Sequence, residues 1–194
     1  MKTPTPILRL KHGFTLIELL VVIGIIAILA TIAIPTGNVV LRKARELQAK
    51  AAMKGLEIAI KGYQTEYNRY PMAQGADNGT EYLTNDATGK DLLDTLMAKD
   101  SQVANNPRKI KFYDPPTAKS KTNGYDSTDG YLFDPWGEGY TIKIDYEATG
   151  ALEDPFDPAQ TISNGIIIYS SGADKKLELG SGTSTKTDDL KSWQ

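Results

Sequence analysis

The chain has 194 residues, 24% charged and 40% hydrophobic, with a formal net charge of -2 and a pI near 5.5. That composition suits a globular domain rather than a disordered segment, and it offers no basic face of the kind nucleic-acid binding requires, so no nucleic-acid partner is expected. Cysteine is absent and His12 is the single histidine, which excludes disulfides, thiol chemistry and a histidine-based catalytic or zinc site in the body.

Hydrophobicity is concentrated at one end. Residues 1–13 carry Lys2, Arg9, Lys11 and His12 with no acid, and from Leu19 to Leu41 there is no charge. Phe14 to Thr36 would span about 34 Å as a helix, enough for a hydrocarbon core of about 30 Å. The basic leader places the N-terminus in the cytoplasm and the C-terminal body across the membrane. An ordinary secretory signal would need a shorter apolar run and a small-residue cleavage site, for which Ala30 to Ala33 is a weak match. A plain signal anchor would need neither Gly13-Phe14 nor Glu18, and a carboxylate inside a bilayer span is costly. Glu18 also suits a helix N-terminus, where the dipole favours an acid.

The string Lys11-His12-Gly13-Phe14-Thr15-Leu16-Ile17-Glu18 and the apolar run after it resemble the class III signal of type IV pilins and type II secretion pseudopilins. The resemblance implies that a prepilin peptidase cuts between Gly13 and Phe14 and methylates Phe14, leaving Glu18 as the fifth residue of the trimmed chain. It also implies an assembly role for Glu18. In a filament interior the buried carboxylate would need a partner, and the amine of a neighbouring Phe14 would supply it.

Pro35 removes a backbone donor and Gly37 loosens the chain, so a kink or local melting is expected there. Beyond it Val40, Ala44, Leu47, Ala51, Leu56, Ile60, Tyr63 and Tyr67 recur at helical spacing, with Arg42, Lys43, Arg45, Lys50, Lys54 and Lys61 on the opposite face. One helix from Phe14 to Tyr67 would run about 80 Å; two helices broken at Pro35 are the alternative. Tyr70-Pro71 ends the helical region. Residues 72–90 read as an irregular loop, Asp91 to Lys99 as a short helix, Ile110 to Tyr113 as a brief strand, and Asp114 to Gly130 as a polar loop. Tyr140 to Tyr146 alternates with period two and Ile166 to Ser170 is continuously apolar, so both are strands. The fold class is α+β with a pilin-like arrangement: a leader (1–13), a transmembrane and assembly helix (14–36), an amphipathic helix (37–70), and a body (71–194) that packs a small antiparallel sheet on that helix and ends in a C-terminal loop.

Asp134-Pro135-Trp136-Gly137-Glu138-Gly139-Tyr140 reads as a structural turn with Trp136 as a buried anchor. It is similar to the Asp-Pro-Trp-Gly-x-x-Tyr motif of the G-type major pseudopilins of type II secretion. The Tyr63, Tyr67 and Tyr70-Pro71 helix ending, the Ser171-Gly172-Ala173-Asp174 turn and the Asp188-Asp189-Leu190-x-x-Trp193 ending agree with that subfamily. The resemblance implies a calcium ion wrapped by the C-terminal loop, with Asp174 and Asp189 as carboxylate ligands and Asp188 as a third. Calcium takes six to eight oxygens, so loop carbonyls would supply the rest. Spaced aspartates in a polar loop are also what a solvated loop carries. Type IV pilins proper close this region with a cystine, which this chain lacks.

No phosphate loop, nucleophile elbow or histidine base occurs in the body, and no enzyme is expected. The reading is a structural subunit of a type II secretion pseudopilus, held in the bacterial inner membrane and drawn into a helical filament that drives protein export. The implied partners are further copies of itself, other pseudopilins, the prepilin peptidase and the inner-membrane assembly platform. A surface type IV or competence pilin, displayed outside the cell, and a membrane-anchored binding module are the alternatives.

Overall fold

The computed structural model describes residues 13–99, 104–180 and 188–193; within them the side chains of residues 32–38 are also outside the description. The chain divides into two units, Met1–Lys43 and Ala44–Gln194. The expected leader, apart from Gly13, lies outside the described residues.

Helix α1 runs Leu16–Tyr67 without a break. The local melting expected at Pro35 does not occur in the backbone, because one missing donor leaves the hydrogen bonds on either side intact. In the first unit, the large apolar side chains from Leu16 to Leu29 are 44% to 81% exposed around the whole helix. A helix greasy on every side needs lipid or other helices to cover it. Among the described residues no helix is long and apolar enough to cross a membrane. The expected span continues into residues 32–38, whose side chains lie outside the description.

In the second unit α1 buries Ala49, Met53, Leu56, Ala59, Ile60 and Tyr63. This corrects the expected face: Leu56, Ile60 and Tyr63 do pack inward, but Leu47 and Ala51 are exposed, because the inward stripe is the one that starts at Ala49. A four-stranded antiparallel sheet completes the core, in the order β1 (Glu81–Leu83), β4 (Thr141–Ile144), β7 (Ile166–Ser170), β8 (Leu190–Lys191). Ile142 faces Ile168 and Ile144 faces Ile166 across the central pair. These four isoleucines join the helix residues in one core. Ile167 and Tyr169 alternate to the other side, where Phe156 and Trp193 pack edge-on against the Tyr169 ring. Both faces of β7 are thus covered, which is why it reads as an unbroken apolar run.

Two small hairpins flank the sheet, β2 (Gly124–Asp126) with β3 (Tyr131–Phe133), and β5 (Leu152–Glu153) with β6 (Thr161–Ile162). Helix α2 spans Ala87–Leu96, four residues earlier than the expected start at Asp91, because the Asp86 carboxylate caps it by accepting the Thr88 and Gly89 N–H groups. Ile110 to Tyr113 is not a strand. Phe112 and Tyr113 both donate their N–H to the Leu96 carbonyl, and the Phe112 ring meets Tyr63 and Tyr67. The polar loop expected over Asp114 to Gly130 contains β2, which pairs with β3 in a register that the sequence pattern does not display.

Asp134 is fully buried. Its Oδ1 accepts the Trp136 and Glu138 N–H groups at 2.8 and 2.9 Å, and its Oδ2 accepts the Ser170 hydroxyl at 2.6 Å. Trp136 is only half-buried, so the anchor of this turn is the carboxylate rather than the indole. Burial pushes the Asp134 carboxyl upward, against the hydrogen bonds from Ser170 and the turn.

Asp145 ties the 145–150 turn together. Its carboxylate accepts the Thr149 and Gly150 N–H groups and the Asn78 amide. Burial opposes its charge, but these donors outweigh it and hold the carboxyl below the ordinary range. A depressed acid contributes stability above its unfolded-state value and loses it as pH falls through the folded one. Thermal melts of the body should therefore show Asp145→Asn less acid-sensitive than wild type below about pH 4. Asp145→Ala should cost about 2–3 kcal/mol at neutral pH; identical acid limbs for Asn and wild type would contradict this.

Candidate functional site

The first candidate region is the start of α1. Thr15 is the residue before the helix, and Glu18 lies in its first turn. The Glu18 Oε2 accepts the Thr15 N–H at 2.8 Å and the Thr15 hydroxyl at 2.7 Å, while the Glu18 N–H donates to the Thr15 Oγ1 at 3.3 Å. This reciprocal arrangement is a capping box. It gives Glu18 a partner inside its own chain, which the sequence reading missed although Thr-x-x-Glu before an apolar run is a legible signal. A carboxylate accepts about four hydrogen bonds, so capping leaves room for a cationic donor from elsewhere. Phe14 is 81% exposed, and it lines an open depression with Ile17, Glu18, Val21 and Val22. Phe14 and Glu18 thus share one depression among apolar side chains at the start of α1, with Gly13 just before it in the chain.

The second region is the C-terminal end of the body. Asp188 and Asp174 do come together: the Asp188 Oδ2 accepts the Ala173 and Asp174 N–H groups at 2.5 and 2.9 Å. Gly172 makes this approach possible. It sits at φ +65°, and a Cβ there would lie 2.2 Å from the Asp188 carbonyl oxygen. The Asp189 Oδ2 accepts the Glu178 N–H at 3.4 Å, and its Oδ1 is buried with no hydrogen-bond partner. Burial pushes the Asp189 carboxyl upward, and the charges of Glu178, Asp188 and Asp174 push the same way against the Glu178 N–H. An orphaned buried carboxylate oxygen beside three further acids fits a cation. Among the described residues no group of three or more metal-ligating side chains is positioned to hold a metal ion, and residues 181–187 of the loop lie outside the description.

The ending itself is clasped by other means. β8 pairs with β7, Ser192 bonds Ile168 through both its N–H and its hydroxyl, and the Lys191 Nζ lies 3.9 Å from the centre of the Phe156 ring. None of Lys191, Ser192 or the strand pairing was legible beforehand, because a two-residue strand has no periodicity.

Residues 8–34 match the family model of the prokaryotic N-terminal methylation motif. The type II secretion system core protein G of Pseudomonas aeruginosa is 29% identical over 189 residues, covering 95% of this chain and 96% of that protein. The corresponding protein of Aeromonas hydrophila is 38% identical over 82 residues, 41% of this chain and 54% of its own length. The type IV major pilin protein PilA of Myxococcus xanthus is 45% identical over 60 residues, 31% of this chain and 27% of its own length. No solved structure matches the chain. With its long apolar helix leading into an α+β body, the chain has a pilin-like fold. Over nearly its full length it is homologous to core protein G, the major pseudopilin of type II secretion, and it has type IV pilin homologues as well.

Proposed function

We propose that this chain is a structural subunit of a type II secretion pseudopilus, processed and methylated by prepilin peptidase and assembled into a helical filament that drives protein export. The observation that carries the reading is the start of α1, where an exposed apolar rod begins immediately after Gly13-Phe14-Thr15 with one carboxylate in its first turn. Before assembly the rod lies in the inner membrane, with the leader cytoplasmic and the body on the far side. Its partners are other copies, other pseudopilins, the peptidase and the assembly platform, and the chain itself catalyses no reaction. Mass spectrometry of the mature protein should find methylated Phe14 at the N-terminus. A mature chain starting at Met1, or near Ala33, would overturn the reading.

The similarity to a type IV pilin supports a second reading, a surface pilus subunit. Immunogold microscopy separates the two, since surface fibres at native expression would favour the pilus.

The C-terminal loop binds calcium in this proposal. Asp174, Asp188 and Asp189 would supply carboxylate oxygens, and loop carbonyls would make up the six to eight oxygens that calcium takes. The ion would give the buried Asp189 oxygen a partner and relieve the repulsion among the acids, at the cost of loosening the Asp188 hydrogen bonds. At a calcium concentration a hundredfold above the dissociation constant, the gain in stability is about 2.7 kcal/mol. Calorimetric titration should show heat with wild-type protein and none with Asp189→Asn; no heat and no thermal shift in wild type would remove the claim.

A further inference from the structure

α1 carries a second apolar stripe on the side away from its core. Leu47 and Ile58 are 67% and 60% exposed, and exposed Ala51 lies between them, so the three stand four and seven residues apart on one helix face. Lys50, Lys54 and Lys61 repeat the same spacing three positions on. Lys54 and Lys61 both bridge Glu57, and Glu46 lies one turn before Lys50, so this flank holds three lysines to two carboxylates. Burial works against the charge of Glu57, but the two lysines hold its carboxyl below the ordinary range. The stripe is therefore apolar with a cationic border.

The opposite pattern occurs elsewhere on the same body. Leu177 and Leu179 are 38% and 49% exposed, with Glu178 between them. The Gly180 N–H donates to the Pro155 carbonyl at 2.9 Å, which pins this loop on the β5–β6 connection, where Glu153, Asp154 and Asp157 flank Pro155. From Ile144 to Asp174 the chain has six acids and no lysine or arginine. Lys175 is engaged by Glu138; Lys176 and Lys191, the latter against the Phe156 ring, lie beside the patch, two cations to the four acids Glu153, Asp154, Asp157 and Glu178. The result is a pair of exposed leucines with an acidic border.

We infer that these two surfaces bind each other between copies of the chain, with Leu177 and Leu179 of one copy seated on the Leu47–Ala51–Ile58 stripe of the next, and the acids around Pro155 facing Lys50, Lys54 and Lys61. Apolar area meets apolar area and opposite charges border it, which gives both affinity and orientation. The two patches are different parts of the body, so the contact is head-to-tail: each copy donates one surface and receives the other. A heterologous contact of this kind propagates an open helical filament unless its rotation closes a ring. The inference rests on the filament reading and adds to it the surfaces that set the order of the bodies.

Because the chain has no cysteine, introduced cysteines report this contact without background. A disulfide forms only where the two Cα atoms come within about 7 Å. Full-length Leu47→Cys and Leu179→Cys chains, co-expressed in the native host and oxidised in the assembled state, should shift from monomer to a cross-linked dimer. The double variant should give a ladder of multimers. Should the double variant fail to assemble, the pair Ile58→Cys with Leu177→Cys tests the same contact. Filaments that form without either cross-link, or that yield only Leu47–Leu47 dimers, overturn the inference and leave the filament reading standing. Absence of filaments from wild-type chain takes both down.

Discussion

Glu18→Ala should be processed normally at Gly13-Phe14 and then fail to assemble, whereas Glu18→Gln should separate the two roles of this side chain. In the subunit the carboxylate caps α1 through Thr15. A glutamine keeps that capping geometry, since Glu and Gln both serve at this position of a capping box. It does not keep the charge. On the proposed function, the methylated amine of a neighbouring Phe14 would be a buried cation in the filament interior, and removing its counter-charge would leave it uncompensated at a cost of about 3–5 kcal/mol. That corresponds to a loss on the order of 10²–10⁴-fold in association for each subunit. If charge pairing governs assembly, Gln is as defective as Ala. If capping governs it, Gln assembles and Thr15→Val joins Ala as the defective variant. Filament yield by microscopy, with N-terminal mass as the control for processing, decides between them. Normal filaments from Glu18→Ala would remove the assembly role altogether.

The second large effect is expected from Gly172→Ala. The position is at φ +65° and the added Cβ would meet the Asp188 carbonyl oxygen at 2.2 Å, backbone against backbone, so neither side yields by rotating a side chain. The left-handed angle alone costs about 1–2 kcal/mol. Separating the two segments also endangers the hydrogen bonds from Ala173 and Asp174 to Asp188, each charge-assisted and each contributing about 1.5–3 kcal/mol. With one of these two bonds lost, the sum is about 2.5–5 kcal/mol, which would lower the melting temperature of a domain this size by about 5–20 °C. On the calcium proposal it should also weaken binding of the ion, because the Asp174 N–H donates to Asp188 from the 172–174 turn. Gly150 provides the control. It is also at positive φ, +78°, but nothing lies within 4 Å of its Cβ position, so Gly150→Ala should cost only the backbone term. Equal melting temperatures for the two variants would mean that the close approach at Gly172 has no energetic consequence.

Local rules made much of the molecule legible. The apolar run, the lone acid beside Gly13-Phe14, the β7 segment Ile166–Ser170 and the Asp-Pro-Trp-Gly turn each carry their signal within a few residues. The aromatic end of α1 was legible too, although its buried partner Asn106 was not. Asn106 accepts the Tyr67 hydroxyl and donates to the Thr95 and Ile110 carbonyls, and no spacing in the chain advertises a link across 39 residues. The same holds for Thr84, whose hydroxyl accepts the Tyr140 N–H and donates to the Leu132 carbonyl, so that one side chain joins the β2–β3 hairpin to the main sheet.

The sequence by itself determined that one end of this protein is an apolar helix starting at a methylation motif and the other an acidic α+β body, because helical period, charge distribution and the peptidase string are properties of neighbouring residues. Tertiary structure decided which face of α1 is buried. Ala49 and Met53 turn inward while Leu47 and Ile58 stay exposed, since burial depends on where the sheet lies and not on how greasy a side chain is. It also decided that Asp134 rather than Trp136 anchors its turn, and that Asp189 ends with a buried oxygen lacking a partner. Such outcomes come from segments far apart in the chain meeting in space, and a linear pattern does not record those meetings.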